Sequence, residues 1–218
     1  MQLLGCRVGE DGRVSIEIRV QRPDESDAVL RVIGDAFGAE GASVVAVWSD
    51  VVARGLDRAQ LVAVEADADD EVVGHVGLSH GWLDARRSLV DVLVLSPLSV
   101  APSRQREGVG GALLAAAVAE ADRLGAPVVV LEGDPGYYGR HGWSPAADLG
   151  IEPPTRRVPR PAFRAVPLAS YESWMTGRVI YRDVWWEHDS TGLRDPLLAR
   201  LEAGLGNRPA TGEGVTGG

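Results

Sequence analysis

The chain has 218 residues, a formal net charge of −9, 45% hydrophobic residues and a single cysteine, which together fit one soluble globular domain with a sizeable core. The acidic balance argues against a nucleic-acid partner, whose phosphates demand a basic face, and leaves room for a cationic substrate. The lone thiol, Cys6, excludes an internal disulfide and a thiolate metal cluster, so no metal is expected and a reducing cytoplasm is the expected compartment.

The first residues lack a basic start followed by a long apolar stretch, and no later run approaches the ~20 apolar residues of a membrane span. Residues 16–20 alternate in polarity and predict a strand. Arg22-Pro23-Asp24-Glu25 then leads into a helix on which Val29, Leu30, Ile33 and Phe37 recur at helical spacing. Val44, Val45, Val47, Trp48, Val51 and Val52 predict a second helix, and residues 60–66 and 71–79 predict two strands around a solvated acidic turn at 67–70.

Residues 88–100 form an apolar run interrupted at Ser96-Pro97, where a mid-run proline predicts a bulge and a kink. From 108 to 124, Val109, Leu113, Ala117, Val118 and Leu124 recur at helical spacing among many alanines, and Gly125 supplies the stop. Residues 127–131 are a continuous apolar strand. Residues 92–133 therefore read strand, loop, helix, strand, a crossover that places its two strands parallel. The chemistry is expected at the carboxyl ends of those strands.

Residues 145–170 are rich in proline and arginine and show no periodicity. The aromatic and β-branched residues of 177–187 predict a strand, with Tyr181, Asp183, Trp185 and Glu187 on one face and Ile180, Arg182, Val184, Trp186 and His188 on the other. The acid-bearing face either lines an acceptor site for a cationic amine or packs on the core. Leu197, Leu198 and Leu201 predict a last short helix. The expected organisation is one domain over 14–204, an N-terminal extension over 1–13 and a disordered tail over 205–218.

The segment Gln105-Arg106-Glu107-Gly108-Val109-Gly110-Gly111 lies between a predicted strand and the clearest helix. First-turn amides there have no intrahelical acceptor, and the helix dipole adds ~0.3–1 kcal/mol of attraction for an anion. Glycines at 108, 110 and 111 remove side chains that would hold a pyrophosphate away, and Arg104 and Arg106 can add charge. The plainer reading is a set of glycines that opens a helix near a tight turn. A dinucleotide fingerprint wants glycine where Leu113 stands, and the Gly-Lys-Ser/Thr of a phosphate loop is absent.

Gln105, Gly108 and Gly110 match the Gln/Arg-x-x-Gly-x-Gly/Ala loop by which this sequence resembles the GNAT superfamily of N-acetyltransferases, here a bacterial subgroup of predicted acetyltransferases. The resemblance spans roughly 60–143. Residues 97–102 look like the strand that precedes the loop, and Tyr137-Tyr138-Gly139-Arg140-His141-Gly142-Trp143 resembles the family's aromatic-rich Tyr-x-x-x-Gly-aromatic segment. Gly133-Asp134-Pro135-Gly136 departs from the commonest pattern, which has asparagine soon after the preceding strand.

The resemblance implies an α/β acyl-CoA N-acyltransferase fold, with a mixed, mainly antiparallel sheet whose central parallel pair is flanked by helices. It implies acetyl-CoA as cosubstrate, held by the backbone of Leu98, Ser99 and Val100 along its pantetheine arm. The amides of Gln105, Arg106, Glu107, Gly108, Val109, Gly110 and Gly111 would hold the pyrophosphate. Tyr138 matches the family's general acid and would also contact the cosubstrate, a phenol of pKa about 10 being a sensible donor to a departing thiolate. Its alternative role is packing.

The general base is not identified by the sequence; Glu132, His80, Asp91 or a water chain ending at one of them can serve. His75, Trp48 and Trp82 read as ordinary packing, and His141 as cover for a loop. The expected partner is a small-molecule or peptide amine, with no nucleic acid and no membrane, and dimers are common in the family. Transfer is expected to be direct, because Cys6 is the only thiol and lies far from the motif. The competing reading is a non-catalytic module that binds acetyl-CoA as a regulatory ligand.

Overall fold

The computed structural model describes residues 15–66, 70–193 and 197–206. The expected extension at 1–13, Cys6, most of the acidic turn and the tail beyond 206 lie outside those residues. In chain order the main elements are β1 (Ile16–Val20), α1 (Ser26–Phe37), α2 (Gly41–Ala53), β2 (Asp57–Glu65), β3 (Glu71–Ala85) and β4 (Leu89–Val100). There follow α3 (Val109–Arg123), β5 (Val128–Glu132), α4 (Pro135–Arg140), β6 (Ser144–Pro145), β7 (Ile151–Glu152), β8 (Phe163–Pro167), β9 (Gly177–Tyr181), α5 (Asp183–Glu187) and α6 (Leu197–Gly206).

These strands form one mixed sheet in the order β1-β2-β3-β4-β5-β8-β6, with β9 continuing along the far end of β3 and β7 pairing with β9. The neighbours β1 to β4 are antiparallel, β4 and β5 are parallel, and β5 and β8 are antiparallel again. The fold therefore belongs to the mixed α/β class with one central parallel pair, as the crossover over 92–133 requires.

Two cores cover the two faces of this sheet. The first packs Val32 and Ile33 of α1, Trp48 and Val51 of α2 and Trp185 of α5 over Val62, Val92, Val128 and Val130. The second packs Leu113, Leu114 and Ala117 of α3 over Ala63, Val76, Leu93, Val129 and Leu131. Alternation explains why β5 reads as an unbroken apolar run: Val128 and Val130 serve one core, Val129 and Leu131 the other.

The stretch Pro23–Ala53 is long and apolar enough by composition to cross a membrane, beyond what the sequence reading anticipated. It breaks at Gly38, which adopts φ 54°, and the two resulting helices lay Val29, Ile33, Val47 and Trp48 on the first core. The start of α1 is held by Glu25, which accepts from the Arg22 amide at 2.6 Å and pairs with the Arg19 guanidinium at 2.5 Å.

A bulge interrupts β4 at the expected place. Val76 pairs with Leu98 but Leu78 pairs with Leu95, so one extra residue of β4 sits in the Ser96-Pro97 region, whose peptide bond is cis. The insertion reverses the parity of the strand. Leu93 and Leu95 before it, and Leu98 and Val100 after it, all face the second core.

The expected strand over 177–187 is corrected: only Gly177–Tyr181 is strand, and Asp183–Glu187 is helical. Strand propensity is overridden by tertiary packing, because Val184 and Trp185 are neighbours in sequence and both buried, which a half-covered strand cannot arrange. Asp183 and Glu187 face outward to Arg54, which caps the end of α2, and His188 donates to Asp50 at 2.7 Å. The segment 145–170 carries β6, β7 and β8 among short 3-10 turns. These strands were illegible because two of them have only two residues.

His75 lies between Val62 and Ser99 in the sheet, fully buried, with its ring 5.4 Å from that of Trp48. Neither ring nitrogen has a hydrogen-bond partner, and burial lowers its pKa to about 3. The unfolded chain takes up a proton near the ordinary 6.5 and the folded chain does not, so stability is complete above 6.5 and falls as pH drops toward 3. Between pH 6.5 and 4.5 His75 is expected to cost about 2–3 kcal/mol of stability. In urea titrations at those two pH values, His75→Leu should lose that much less than wild type.

Candidate active site

The central parallel ladder is short. Only Leu93 with Val129 and Val94 with Val130 are paired; beyond them β4 is held by β3 alone and β5 by β8 alone. A gap therefore opens between residues 95–100 and the end of β5, at the carboxyl ends where the crossover predicted chemistry.

On the second-core face, α3 points its N-terminus at this gap. Gly108 precedes the helix at φ 88° and offers no side-chain cap, so the first-turn amides of Val109, Gly110 and Gly111 keep their hydrogens for another acceptor. The side chain of Val109 is buried in the core, leaving only its amide available. Arg106 holds φ 67° and Glu107 is exposed.

Two polar side chains of the loop are engaged elsewhere. Gln105 donates to the Val100 carbonyl at 3.2 Å, tying loop to strand. Arg104 is ion-paired with the buried Glu65, whereas Arg106, the other arginine read as an anion partner, makes no ion pair among the described residues. The main chain of Leu98, Ser99 and Val100 borders the gap, but the Ser99 side chain is 1% exposed and faces the first core beside His75.

The helix α4 covers the first turn of α3. A Cβ at Gly110 would lie 2.5 Å from the Tyr137 hydroxyl, and one at Gly111 would lie 2.6 Å from the His141 ring. These two glycines therefore make room for neighbouring side chains, whereas a Cβ at Gly108 would meet nothing within 4 Å. His141 is thus a packing partner of α3 and of Tyr137, whose ring is 4.9 Å away.

Asp134 caps α4, accepting from the amides of Gly136 at 2.7 Å and Tyr137 at 3.1 Å. The cap sets Tyr138 against Gly133, where any Cβ would overlap its ring, and 6.2 Å from the ring of Trp143. Burial raises the Tyr138 phenol above its ordinary 10, and Tyr137 and Asp134 add to the shift. The phenol accordingly stays protonated across the physiological range.

Behind α4, the buried Arg164 donates to the carbonyls of Trp143 and Pro161. It closes the turn that follows the helix.

On the opposite face, the end of β5 enters a cavity of about 150 Å³ lined by Val94, Leu95 and Ser96 of β4, by Glu132, by Tyr181 and Trp185, and by Ser190, Gly192 and Leu193. Glu132 accepts from the Gly192 amide at 2.9 Å. Burial and the neighbouring Glu132 carboxylate push the Tyr181 phenol well above 10.

Tyr138 and Glu132 thus stand on opposite faces of the same gap, and all three base candidates have partners, Glu132 through the Gly192 amide and His80 and Asp91 through each other. The Nε2 of His80 donates to Asp91 at 2.8 Å and its Nδ1 accepts from Arg182 at 3.2 Å. Tyr181 and Trp185 share the cavity wall through a helical turn, a pairing that the strand reading also gave because both geometries align positions four apart.

The sequence profile of the acetyltransferase (GNAT) domain matches residues 17–146. The chain is 30% identical over 136 residues to the uncharacterized N-acetyltransferase YjhQ of Escherichia coli strain K12, covering 60% of this chain and 72% of that protein. Among solved structures, the GNAT family N-acetyltransferase YhbS of Escherichia coli in complex with CoA superposes with a TM-score of 0.70 at 22% identity, over 87% of this chain and 98% of that one. A GNAT family acetyltransferase of Brucella melitensis in complex with acetyl-CoA gives 0.62 at 26% identity, over 79% and 99%.

The tight seat of Tyr138 has a measurable consequence. Gly133→Ala should destabilise the fold by about 1–3 kcal/mol through overpacking. Gly139→Ala, whose Cβ would meet its nearest atom at an ordinary 3.4 Å, should change stability by less than about 1 kcal/mol. Thermal unfolding of the two variants provides the comparison.

Proposed function

Because the chain belongs to the GNAT family of acetyltransferases, we propose that it transfers an acetyl group from acetyl-CoA directly to a primary amine. The observation that carries this reading is the gap between β4 and β5, flanked by uncapped amides and Tyr138 on one face and by the Glu132 cavity on the other.

The amides of Val109, Gly110 and Gly111, with Gly108 open beside them and Arg106 nearby, suit a pyrophosphate. The free edge of β4 at Leu98 to Val100 suits an amide-rich arm, through its backbone alone. The complexes of the Brucella melitensis and Escherichia coli relatives with acetyl-CoA and CoA support the same ligand class for this chain.

The reaction assigns a task to each face. An alkylamine is mostly protonated near pH 7, and Glu132, at the acceptor side, takes its proton directly or through a water. The neutral nitrogen attacks the thioester carbonyl, whose developing negative charge is met by a backbone N–H of Leu98 or Val100; losing one such donor costs about 100- to 1000-fold. The carbon–sulfur bond then breaks, and Tyr138 gives its proton to the departing thiolate. With its pKa raised by burial, the phenol holds that proton until negative charge builds on sulfur.

Calorimetric titration with acetyl-CoA, with NADH and ATP as controls, tests the cosubstrate, and selective binding of acetyl-CoA is the expected result. Tyr138→Phe should bind acetyl-CoA as wild type does while kcat for amine acetylation falls by about tenfold to a hundredfold or more. Unchanged turnover would remove the acid role. Binding without turnover of any amine by wild type would favour the regulatory module.

A further inference from the structure

The proton transfers and the amide contacts leave one polar atom beside the first turn of α3 unused. The hydroxyl oxygen of Tyr137 lies 2.5 Å from the place that a Cβ on Gly110 would take, whereas the ring carbon that bears it lies 3.8 Å away, an ordinary contact. Glycine is therefore needed at 110 for the oxygen alone; with phenylalanine at 137, alanine would fit. The rest of the helix favours alanine, which stands at 112, 115, 116, 117 and 119. Gly110 gives up that helix propensity to admit a single oxygen.

The position of this oxygen points to a ligand. A helical Cβ leans toward the N-terminus, so an atom at its place lies on the side to which the free amides of the first turn point. The same place is 3.7 Å from the Val100 side chain, and the hydroxyl thus stands where the first turn of α3 meets the end of β4. No group among the described residues bonds to it, and unlike the Tyr181 oxygen it is not sealed from a water-sized molecule. The ring is held by contact with His141 at 4.9 Å and Tyr138 at 5.1 Å, and its backbone amide by Asp134. Burial raises the phenol above its ordinary 10, so it keeps its proton and donates, and the nearby Arg140 cation adds positive field. Donors that gather with no acceptor among them are matched by an anion.

Resting on the acetyl-transfer reading, we propose that Tyr137 is a further cosubstrate-binding residue, whose hydroxyl donates to the phosphate that joins the pyrophosphate to the pantetheine arm. Two adjacent tyrosines then divide the cosubstrate between them, Tyr138 at its sulfur and Tyr137 at its phosphate.

The test pairs two fragments that share the acetylated arm and differ by that one phosphate, acetyl-phosphopantetheine and acetyl-pantetheine. Their affinities and that of acetyl-CoA are measured by calorimetric titration, with competition against acetyl-CoA for the weaker binders. Tyr137→Phe keeps the ring and removes the donor. It is expected to weaken acetyl-CoA and acetyl-phosphopantetheine about tenfold or more, the scale of a hydrogen bond to a charged group, and to leave acetyl-pantetheine within about twofold. Gly110→Ala, which displaces the oxygen instead of deleting it, is expected to show the same selective loss and keeps the matter decidable if Tyr137→Phe does not fold. Unchanged acetyl-CoA affinity in either folded variant, a loss shared by acetyl-pantetheine, or equal binding of the two fragments by wild type would overturn the inference. Normal binding of acetyl-CoA by wild type confines such a failure to Tyr137, whereas absent binding removes the transfer reading as well.

Discussion

Two rungs of parallel ladder, Leu93 with Val129 and Val94 with Val130, are the constraint on which the site depends. Were the pairing longer, the edges of β4 and β5 would satisfy each other and no backbone would be left for a ligand. The bulge in the Ser96-Pro97 region serves this end in two ways. It ends the regular ladder at the level of the gap, and it reverses which side chains face which core. Leu98 and Val100 thereby join Leu93 and Leu95 under α3, while Ser99 turns inward toward His75.

The same parity sorts the polar side chains. β5 sends Leu131 to the second core and Glu132 to the opposite face, and the chain then caps α4 with Asp134 so that Tyr138 returns to the second face. Under the proposed transfer reading, Glu132 and Tyr138 are the base and the acid, on opposite sides of the reacting carbonyl. Their placement follows from strand alternation and one helix cap. The glycines support it by contact: Gly133 seats Tyr138, and Gly110 and Gly111 let α4 lie against α3.

Much of this was legible in the residues. The alanine-rich helix, the continuous apolar strand after it and the proline within residues 88–100 fixed the crossover and its kink, because periodicity, strand length and a missing N–H are local properties. The role of Gly110 and Gly111 was not legible, since a glycine that admits a phosphate and one that admits a tyrosine look alike until the neighbour is known. Residues 177–187 misled for a related reason. Their strand-like composition is local, whereas the burial of Val184 and Trp185 side by side and the pull of Arg54 on Asp183 and Glu187 come from a helix more than a hundred residues earlier. That His80 and Asp91 hold each other while Glu132 accepts from Gly192 was equally hidden, because each pairing joins residues far apart in the chain.

The two sides of the gap are drawn from different stretches of chain. The face carrying the uncapped amides and Tyr138 is complete by Trp143, inside the span shared with the family profile, whereas Tyr181, Trp185 and residues 190–193 lie beyond it. Inheritance can therefore act on the two faces separately. Under the transfer reading, the C-terminal third can be rewritten to suit a new acceptor while the donor half is passed on unaltered. Relatives that align well over the first two thirds then need not share a substrate.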